Sequence, residues 1–154
     1  MKHQIAFGAL LALGSLAAAA PSFAQEHYTF GNVITCEQYR VKEGKGDAYA
    51  RYLRKAVVPQ TEAAKKAGLI VDRVYFLRTE GSASDWDYMS CIARKNFAAL
   101  DYNPENEKKA DEITAALAKT PDKAKQAEMT KGRFEMRDFK GASTIREIVL
   151  KPLP

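Results

Sequence analysis

Seven side chains that can contact a ligand alternate along three short stretches of the sequence. They combine aromatic rings, which offer apolar area, with hydroxyl and charged groups, which orient a bound molecule. The set consists of Glu37, Tyr39, Arg73, Tyr75, Trp86, Tyr88 and Ser90. This composition predicts one wall of a small-molecule cleft. It is equally typical of a dimer interface, which favours Tyr, Trp and Arg, so both interpretations stay open.

Motifs for other kinds of chemistry are missing from the sequence. His27 is the only histidine after residue 24 and lies near the expected start of the mature chain, which argues against a Ser-His-Asp triad and a multi-histidine metal site. Gly44 and Gly46 flank a lysine, but the spacing of a phosphate-binding loop is absent. We therefore expect no metal and no cofactor, and the sequence identifies no catalytic residue.

The candidate residues must be positioned by the strands of a small domain. Alternation of apolar and polar residues, bounded by glycine-rich or polar turns, predicts four strands. They cover residues 32–41, 69–78, 85–94 and 143–150. The second and third strands, joined by a short polar loop, form a hairpin.

Helical patterns occupy the chain between these strands. The first helix runs from Asp47 to a glycine cap at Gly68, with a kink expected at Pro59. Asn96 caps a short helix, and Pro104 begins a longer one. A last helix is expected to be capped by Thr120, to start at Pro121 and to run to about Asp138, with Gly141 ending the helical region. Mixed charges over residues 105–137 are typical of a solvated helical face.

The resulting order of elements predicts an α+β domain with the ferredoxin-like βαββαβ arrangement. Its four-stranded antiparallel sheet has the order 4-1-3-2, with the helices on one face and an extended second helical region. The stretches YRVKEG (39–44), GLI (68–70), DWDY (85–88) and NFAAL (96–100) resemble the dimeric α/β-barrel superfamily. The resemblance covers about residues 33–100. It implies that two sheets pack face to face in a homodimer around an enclosed cleft.

In this topology the first and third strands are antiparallel neighbours, and one register gives three chemically sensible pairs. The pairs are Cys36 with Cys91, Tyr39 with Tyr88, and Arg40 with Asp87. In an oxidising compartment the two cysteines can form a disulfide. The alternative is two buried free thiols.

The same register divides the sheet into an apolar face and an aromatic, polar face. The apolar face is expected to receive the helices, and it carries Ile34, Cys36, Val74, Phe76, Met89, Cys91 and Ala93. The other face carries Thr35 and the seven candidate residues. If the hairpin sets Tyr75 opposite Tyr88, the rings of Tyr39, Tyr88 and Tyr75 form one row across three strands.

The beginning of the chain has the layout of an export signal. A basic start at residues 2–3 precedes an apolar run over residues 5–20, and residues 22–24 (SFA) carry small side chains where a signal peptidase reads. The alternative, a membrane anchor, would need roughly 20 apolar residues. We expect residues 1–24 to be cleaved. A single periplasmic or secreted domain, residues 25–154, then remains without stable membrane anchoring.

Charge and composition narrow the function to two classes. The formal charge of +5 is mild and is spread among acidic residues, which argues against a nucleic-acid partner. We expect a homodimer that binds a small molecule in the aromatic cleft. The alternative, implied by the superfamily, is a cofactor-independent monooxygenase for an aromatic substrate, with Glu37 as the proton acceptor. Arg73 argues against it, because a nearby cation keeps a glutamate ionised.

Overall fold

A computed structural model describes residues 27–82 and 85–153 of the chain. Its strands are β1 (Tyr28–Val41), β2 (Asp72–Leu77), β3 (Tyr88–Arg94) and β4 (Arg137–Leu150). They form one antiparallel sheet in the order β2-β3-β1-β4, which is compatible with a ferredoxin-like α+β fold. The predicted fold class and strand order are confirmed. The predicted signal peptide, residues 1–24, lies outside the described residues.

Helices connect the strands and pack on one side of the sheet. They are α1 (Gly46–Tyr52), α2 (Val58–Lys66), α3 (Pro104–Ala118) and α4 (Lys123–Met136). A π-helical turn, Leu53–Val57, joins α1 to α2, and a 3₁₀ turn, Phe97–Leu100, follows β3. No helix within residues 27–82 and 85–153 is long and apolar enough to cross a bilayer.

The first helical region is interrupted just before the proline that was predicted to kink it. Pro59 has no N–H to donate, and its ring crowds the carbonyl four residues earlier, so the regular α-helical pattern cannot run through it from the preceding turn. The helical turn before Pro59 instead contains one extra residue, so that the Val58 N–H donates to the Leu53 carbonyl five residues earlier. Pro59 then occupies the first turn of α2, where its missing donor costs least.

Each of the two long helices begins after a residue whose side chain accepts hydrogen bonds from the free backbone N–H groups of the first turn. Asn103 accepts hydrogen bonds from the N–H groups at the start of α3, and Pro104 opens that helix as predicted. The predicted start of α4 is wrong. Asp122, rather than Thr120, accepts from the Ala124 and Lys125 N–H groups, because a carboxylate at this position reaches two free donors of the first turn.

Strand β4 is longer than predicted and begins immediately after α4. The helical pattern was expected to reach Asp138, and Gly141 was expected to end it. The structure ends the helix at Met136 and pairs β4 with β1 from Arg137 onward, with Gly141 inside the strand opposite Gln38. Pairing along nearly the whole of β1 overrides the helical pattern of the sequence. Such tertiary override is common where local propensity is weak.

The predicted register between β1 and β3 is confirmed. Cys36 lies opposite Cys91 and Tyr39 lies opposite Tyr88. The two cysteines form a disulfide, so the alternative of free thiols is wrong. The disulfide covalently joins the two central strands of the sheet.

The predicted register between β2 and β3 is wrong by two residues. Tyr75 lies opposite Ser90, and Leu77 lies opposite Tyr88. The reason is that β3 begins at Tyr88 and not at residue 85. Asp87 instead accepts the Val41 N–H with its side chain, which makes the acidic run a loop rather than a strand. A shift of two residues preserves the face to which each side chain points.

The helices cover the face that carries Glu37 and Tyr39, and not the apolar face that was predicted to receive them. Tyr49 of α1 is only 1% exposed and lies edge-on against Tyr88, with ring centres 5.2 Å apart. The connection from β1 through the helices to the parallel strand β2 is a crossover. Crossovers of this kind are right-handed in nearly all proteins, and this preference decides which face the helices cover. Chain handedness therefore outweighs the apolar character of the other face.

The opposite side of the sheet, which we call the open face, is left uncovered by the described part of the chain. It carries Ile34, Val74, Phe76 and Ile145 around the disulfide. Val74 and Phe76 are each 46% exposed and Ile145 is 54% exposed. A contiguous apolar surface of this kind is unusual on a monomer.

Candidate functional site

A cavity of about 280 Å³ lies between the covered sheet face and the helices, and we call it the cleft. Its volume is close to the range of about 300–1,000 Å³ typical of small-molecule sites. Five of the seven predicted site residues line it: Glu37, Tyr39, Arg73, Tyr75 and Ser90. The remaining lining comes from the helical segments and β4: Tyr49, Tyr52, Leu53, Val57, Gln60, Arg133, Phe134, Arg137 and Phe139.

Ser90 of β3 is the centre of the sheet wall. Its neighbours across the strands are Glu37 on one side and Tyr75 on the other, so these three side chains form one row. The Arg73 Nε donates to the Ser90 Oγ at 2.9 Å, and the Arg73 guanidinium lies 5.5 Å from the centre of the Tyr75 ring. The row of Tyr39, Tyr88 and Tyr75 that the sequence predicted is not formed, because of the shifted hairpin register.

Two predicted site residues do not line the cleft. Tyr88 is on the same sheet face, but the ring of Tyr49 packs against it. Trp86 precedes β3 and lies under the guanidinium of Arg78, 4.6 Å from the centre of the indole. Both aromatic rings therefore stabilise the end of the sheet and the loop beside it.

Tyr39 joins the sheet wall to the charged groups of the cleft. Its hydroxyl donates to the Glu37 carboxylate, and the Arg137 guanidinium carbon lies 3.4 Å from the centre of its ring. Burial, followed by the hydrogen bond to Glu37, raises the pKa of Tyr39 to about 12. Tyr39 therefore stays a neutral hydrogen-bond donor at physiological pH.

Arg137 extends this chain of contacts to the helix side. Its Nη1 donates to the Tyr49 hydroxyl at 2.6 Å. Burial is the main cause of the raised pKa of Tyr49, which Arg137 opposes. Glu37, Tyr39, Arg137 and Tyr49 thus form a continuous polar chain across the cleft. Glu37 and Arg73 do not form an ion pair. Glu37 accepts the hydroxyl of Tyr39, and Arg73 donates to Ser90.

The structure adds three important residues that the sequence did not single out for the site. Tyr49 falls in the predicted first helix, and Arg133 and Arg137 fall in the stretch that was predicted to form a solvated helical face. The four-residue spacing of the two arginines was visible in the sequence. It did not reveal the cleft, because the side of the sheet on which α4 packs is decided by the fold.

Two residues that line the cleft each carry a buried polar atom with no hydrogen-bond partner. These atoms are the Tyr75 hydroxyl oxygen and the Arg133 Nε. Buried polar groups in folded proteins are nearly always paired, so each such group calls for an explanation. A bound molecule that accepts hydrogen bonds would supply a partner for both groups.

A second cavity of about 360 Å³ adjoins the cleft, with which it shares Gln60 and Arg73. Its wall includes Thr61, whose hydroxyl is also buried without a partner. Burial and the neighbouring Arg73 lower the pKa of Arg94 in this wall. Gln60 and Arg73 thus lie between the two cavities.

In the part of the chain that the structure describes, no three His, Cys, Asp or Glu side chains cluster in a way that could hold a metal ion. Comparisons of the chain with protein-family models, curated protein sequences and solved structures gave no match. The geometry of the cleft is therefore the basis for a functional proposal.

Proposed function

We propose that the chain is a small-molecule binding protein whose ligand occupies the cleft between the sheet and the helices. The observation that carries this proposal is the pair of buried groups without partners, the Tyr75 hydroxyl and the Arg133 Nε, which belong to two residues that line one cavity. Leaving such groups unpaired costs about 1–3 kcal/mol each, a cost that a ligand can offset.

The π-helical turn gives additional support. Leu53 and Val57, at its two ends, line the cleft. Single π-helical turns inside α-helices often occur at functional sites, because they displace side chains that a regular helix would place elsewhere. Here the turn contributes apolar side chains that face the charged and aromatic groups of the sheet.

Binding in the cleft can be tested by filling it. A fragment library is screened by protein-observed NMR against the wild type and against Leu53→Trp, which places an indole in the cleft. Val58→Trp is the matched control, since Val58 lies in the same helical segment but is 41% exposed and does not line the cleft. Fragments should shift signals of cleft residues in the wild type and the control, and lose binding in Leu53→Trp. Fragment binding unaffected by Leu53→Trp would contradict the proposal.

We further propose that the protein works as a homodimer in the periplasm or outside the cell, as in the dimeric α/β-barrel superfamily. The disulfide between Cys36 and Cys91 is typical of proteins in oxidising compartments. The open face offers an apolar surface that a second copy can cover by sheet-on-sheet packing. In this arrangement the interface and the cleft lie on opposite sides of one sheet, whereas the resemblance to the superfamily implied a cleft enclosed between the two sheets.

The dimer is tested by light scattering after size exclusion. Phe76→Glu places a charge on the part of the open face that β2 contributes and should produce a monomer. Tyr102→Glu is the control, because Tyr102 is 79% exposed and lies between the 3₁₀ turn and α3. A wild-type monomer at concentrations of about 0.1 mM, well above the range of specific complexes, would contradict this part of the proposal.

Catalysis is the second candidate function, and one observation favours it. The Glu37 carboxylate lines the cleft and already accepts the Tyr39 hydroxyl, so a carboxylate with a positioned proton donor faces the bound molecule. Such a pair can move a proton to or from a substrate. Glu37→Gln separates the two functions: an enzyme loses turnover while it retains ligand, whereas a binding protein shows no turnover in either form.

A further inference from the structure

The charges of the cleft are unbalanced, and this imbalance specifies the ligand. Three arginines, Arg73, Arg133 and Arg137, line the cleft against a single carboxylate, Glu37. The formal charge of the wall is therefore +2. None of these three arginines forms an ion pair with a carboxylate among residues 27–82 and 85–153.

Two of the three arginines are held in place by neutral partners. Arg73 donates to Ser90, and Arg137 donates to the Tyr49 hydroxyl while its guanidinium covers the ring of Tyr39. A guanidinium has five N–H donors in a planar fork, so these single bonds fix its orientation and leave further donors for a ligand. An arginine oriented in this way is suited to bind an anion.

The third arginine and one tyrosine supply the groups that lack partners. Arg133 reaches the cleft from α4, and Tyr75 reaches it from β2 on the sheet side. The Arg133 Nε can only donate a hydrogen bond, and the Tyr75 hydroxyl can donate one as well. An acceptor that carries negative charge satisfies both donors and offsets the charge of the wall.

The remaining wall defines the body of the ligand. Aromatic and aliphatic side chains surround the charged groups, among them Tyr52, Val57, Phe134 and Phe139. Flat rings pack well against such surfaces, edge-on or offset. A small flat molecule with an acid group therefore matches both the apolar and the charged parts of the cleft.

We infer that the ligand is a small aromatic carboxylate, or an acid of similar shape, whose anionic group is bound by Arg133 and the Tyr75 hydroxyl. This inference rests on the proposed function, because it assigns a chemical class to the molecule in the same cleft. A neutral ligand of the same shape would leave the positive charge of the wall without a counter-charge. A carboxylate supplies this counter-charge through charge-assisted hydrogen bonds, so the acid is favoured over the neutral form.

The test compares acids with their neutral amides, which have nearly the same shape. Binding of benzoate and benzamide, and of 2-naphthoate and 2-naphthamide, is measured by calorimetry and NMR at neutral pH. Each acid should bind at least about tenfold more tightly than its amide, because hydrogen bonds to charged groups are the stronger ones. The advantage should shrink as salt is added, since the attraction is electrostatic.

Variants assign the effect to the two groups. Arg133→Met should reduce the affinity for each acid to about that of its amide, while the affinity for the amide changes little. Arg51→Met is the control, because it removes the same charge from an exposed position outside the cleft. Tyr75→Phe deletes a hydroxyl that has no protein partner and should fold normally while it weakens binding of the acid severalfold.

The outcomes distinguish the inference from the function on which it rests. Amides that bind as tightly as acids would overturn the anion assignment and leave the binding function standing. An acid preference that survives both Arg133→Met and Tyr75→Phe would overturn the assignment of these two groups. Failure of all four probes up to about 10 mM, together with fragments that ignore Leu53→Trp, would overturn both proposals.

Discussion

Removing the disulfide should have a large effect on stability that is calculable from the positions of its cysteines. Cys36 and Cys91 are 55 residues apart, and the chain-entropy relation for a closed loop of this length gives about 4 kcal/mol at 25 °C. The stabilisation arises because the crosslink restricts the unfolded chain. We therefore expect the double variant Cys36→Ala/Cys91→Ala to lose about 4 kcal/mol in the free energy of unfolding.

The assay is urea unfolding followed by the fluorescence of Trp86, the single tryptophan of the chain. A domain of this size has a slope near 2 kcal/mol per molar urea, so the midpoint should fall by about 2 M. Circular dichroism on the same samples checks that the transition has two states. Wild-type protein unfolded under reducing conditions is the control, because it lacks the crosslink but keeps both sulfur atoms.

Agreement between the double variant and the reduced wild type would assign the loss to the crosslink. A larger loss in the variant alone would measure the packing of the two sulfur atoms, since both cysteines are buried. If both forms lose less than about 1 kcal/mol, the unfolded chain is not restrained as the loop length requires, and the reasoning is refuted.

Two further predictions concern glycine and tyrosine. Gly68→Ala should destabilise the protein by about 1 kcal/mol and Gly132→Ala should stabilise it by up to that amount, as measured by urea midpoints. Both sites have open space for a methyl group, but Gly68 has a φ of +73° at the end of α2, whereas Gly132 lies within α4. Equal shifts of one sign would contradict this contrast. The raised pKa of Tyr39 favours its neutral form in the folded state, so its stabilisation is complete below pH 10.0, the ordinary value, and is lost as the pH rises through about 12. Stability of the wild type should therefore fall more steeply over that interval than stability of Tyr39→Phe, and parallel curves would refute the assignment.

The parts of the fold that could be predicted are those governed by local chemistry. Asn96 and Asn103 lie at helix starts, where their side chains accept backbone N–H groups, and Gly68 follows the end of α2. The register of β1 with β3 was also accessible, because two cysteines and two tyrosines form pairs only in that alignment. Each of these features is decided by a few residues that are close in the sequence or directly opposite each other across two strands.

The hairpin register could not be predicted, because an acidic loop has the pattern of a strand. Residues 85–87 (DWD) alternate as a half-buried strand would. Their carboxylates instead accept hydrogen bonds from the backbone of Ser82 and Val41, which holds a loop beside the sheet. Acidic side chains that bond to the backbone compete with regular structure, and the sequence does not show which arrangement is favoured.

The composition of the cleft depends on the handedness of the fold and on a single boundary. Helix α4 ends at Met136, and β4 begins at Arg137 without an intervening loop. Arg133 therefore points from a helix and Arg137 from a strand, yet both line the cleft. If the helix continued to Asp138, as the sequence suggested, Arg137 would lie one turn beyond Arg133 on the same helix face, and not in a strand that pairs with β1. Strand β1 pairs with the residues that directly follow α4. The pairing of Val41 with Arg137 therefore places in the cleft one of the three positive charges that we assign to ligand binding.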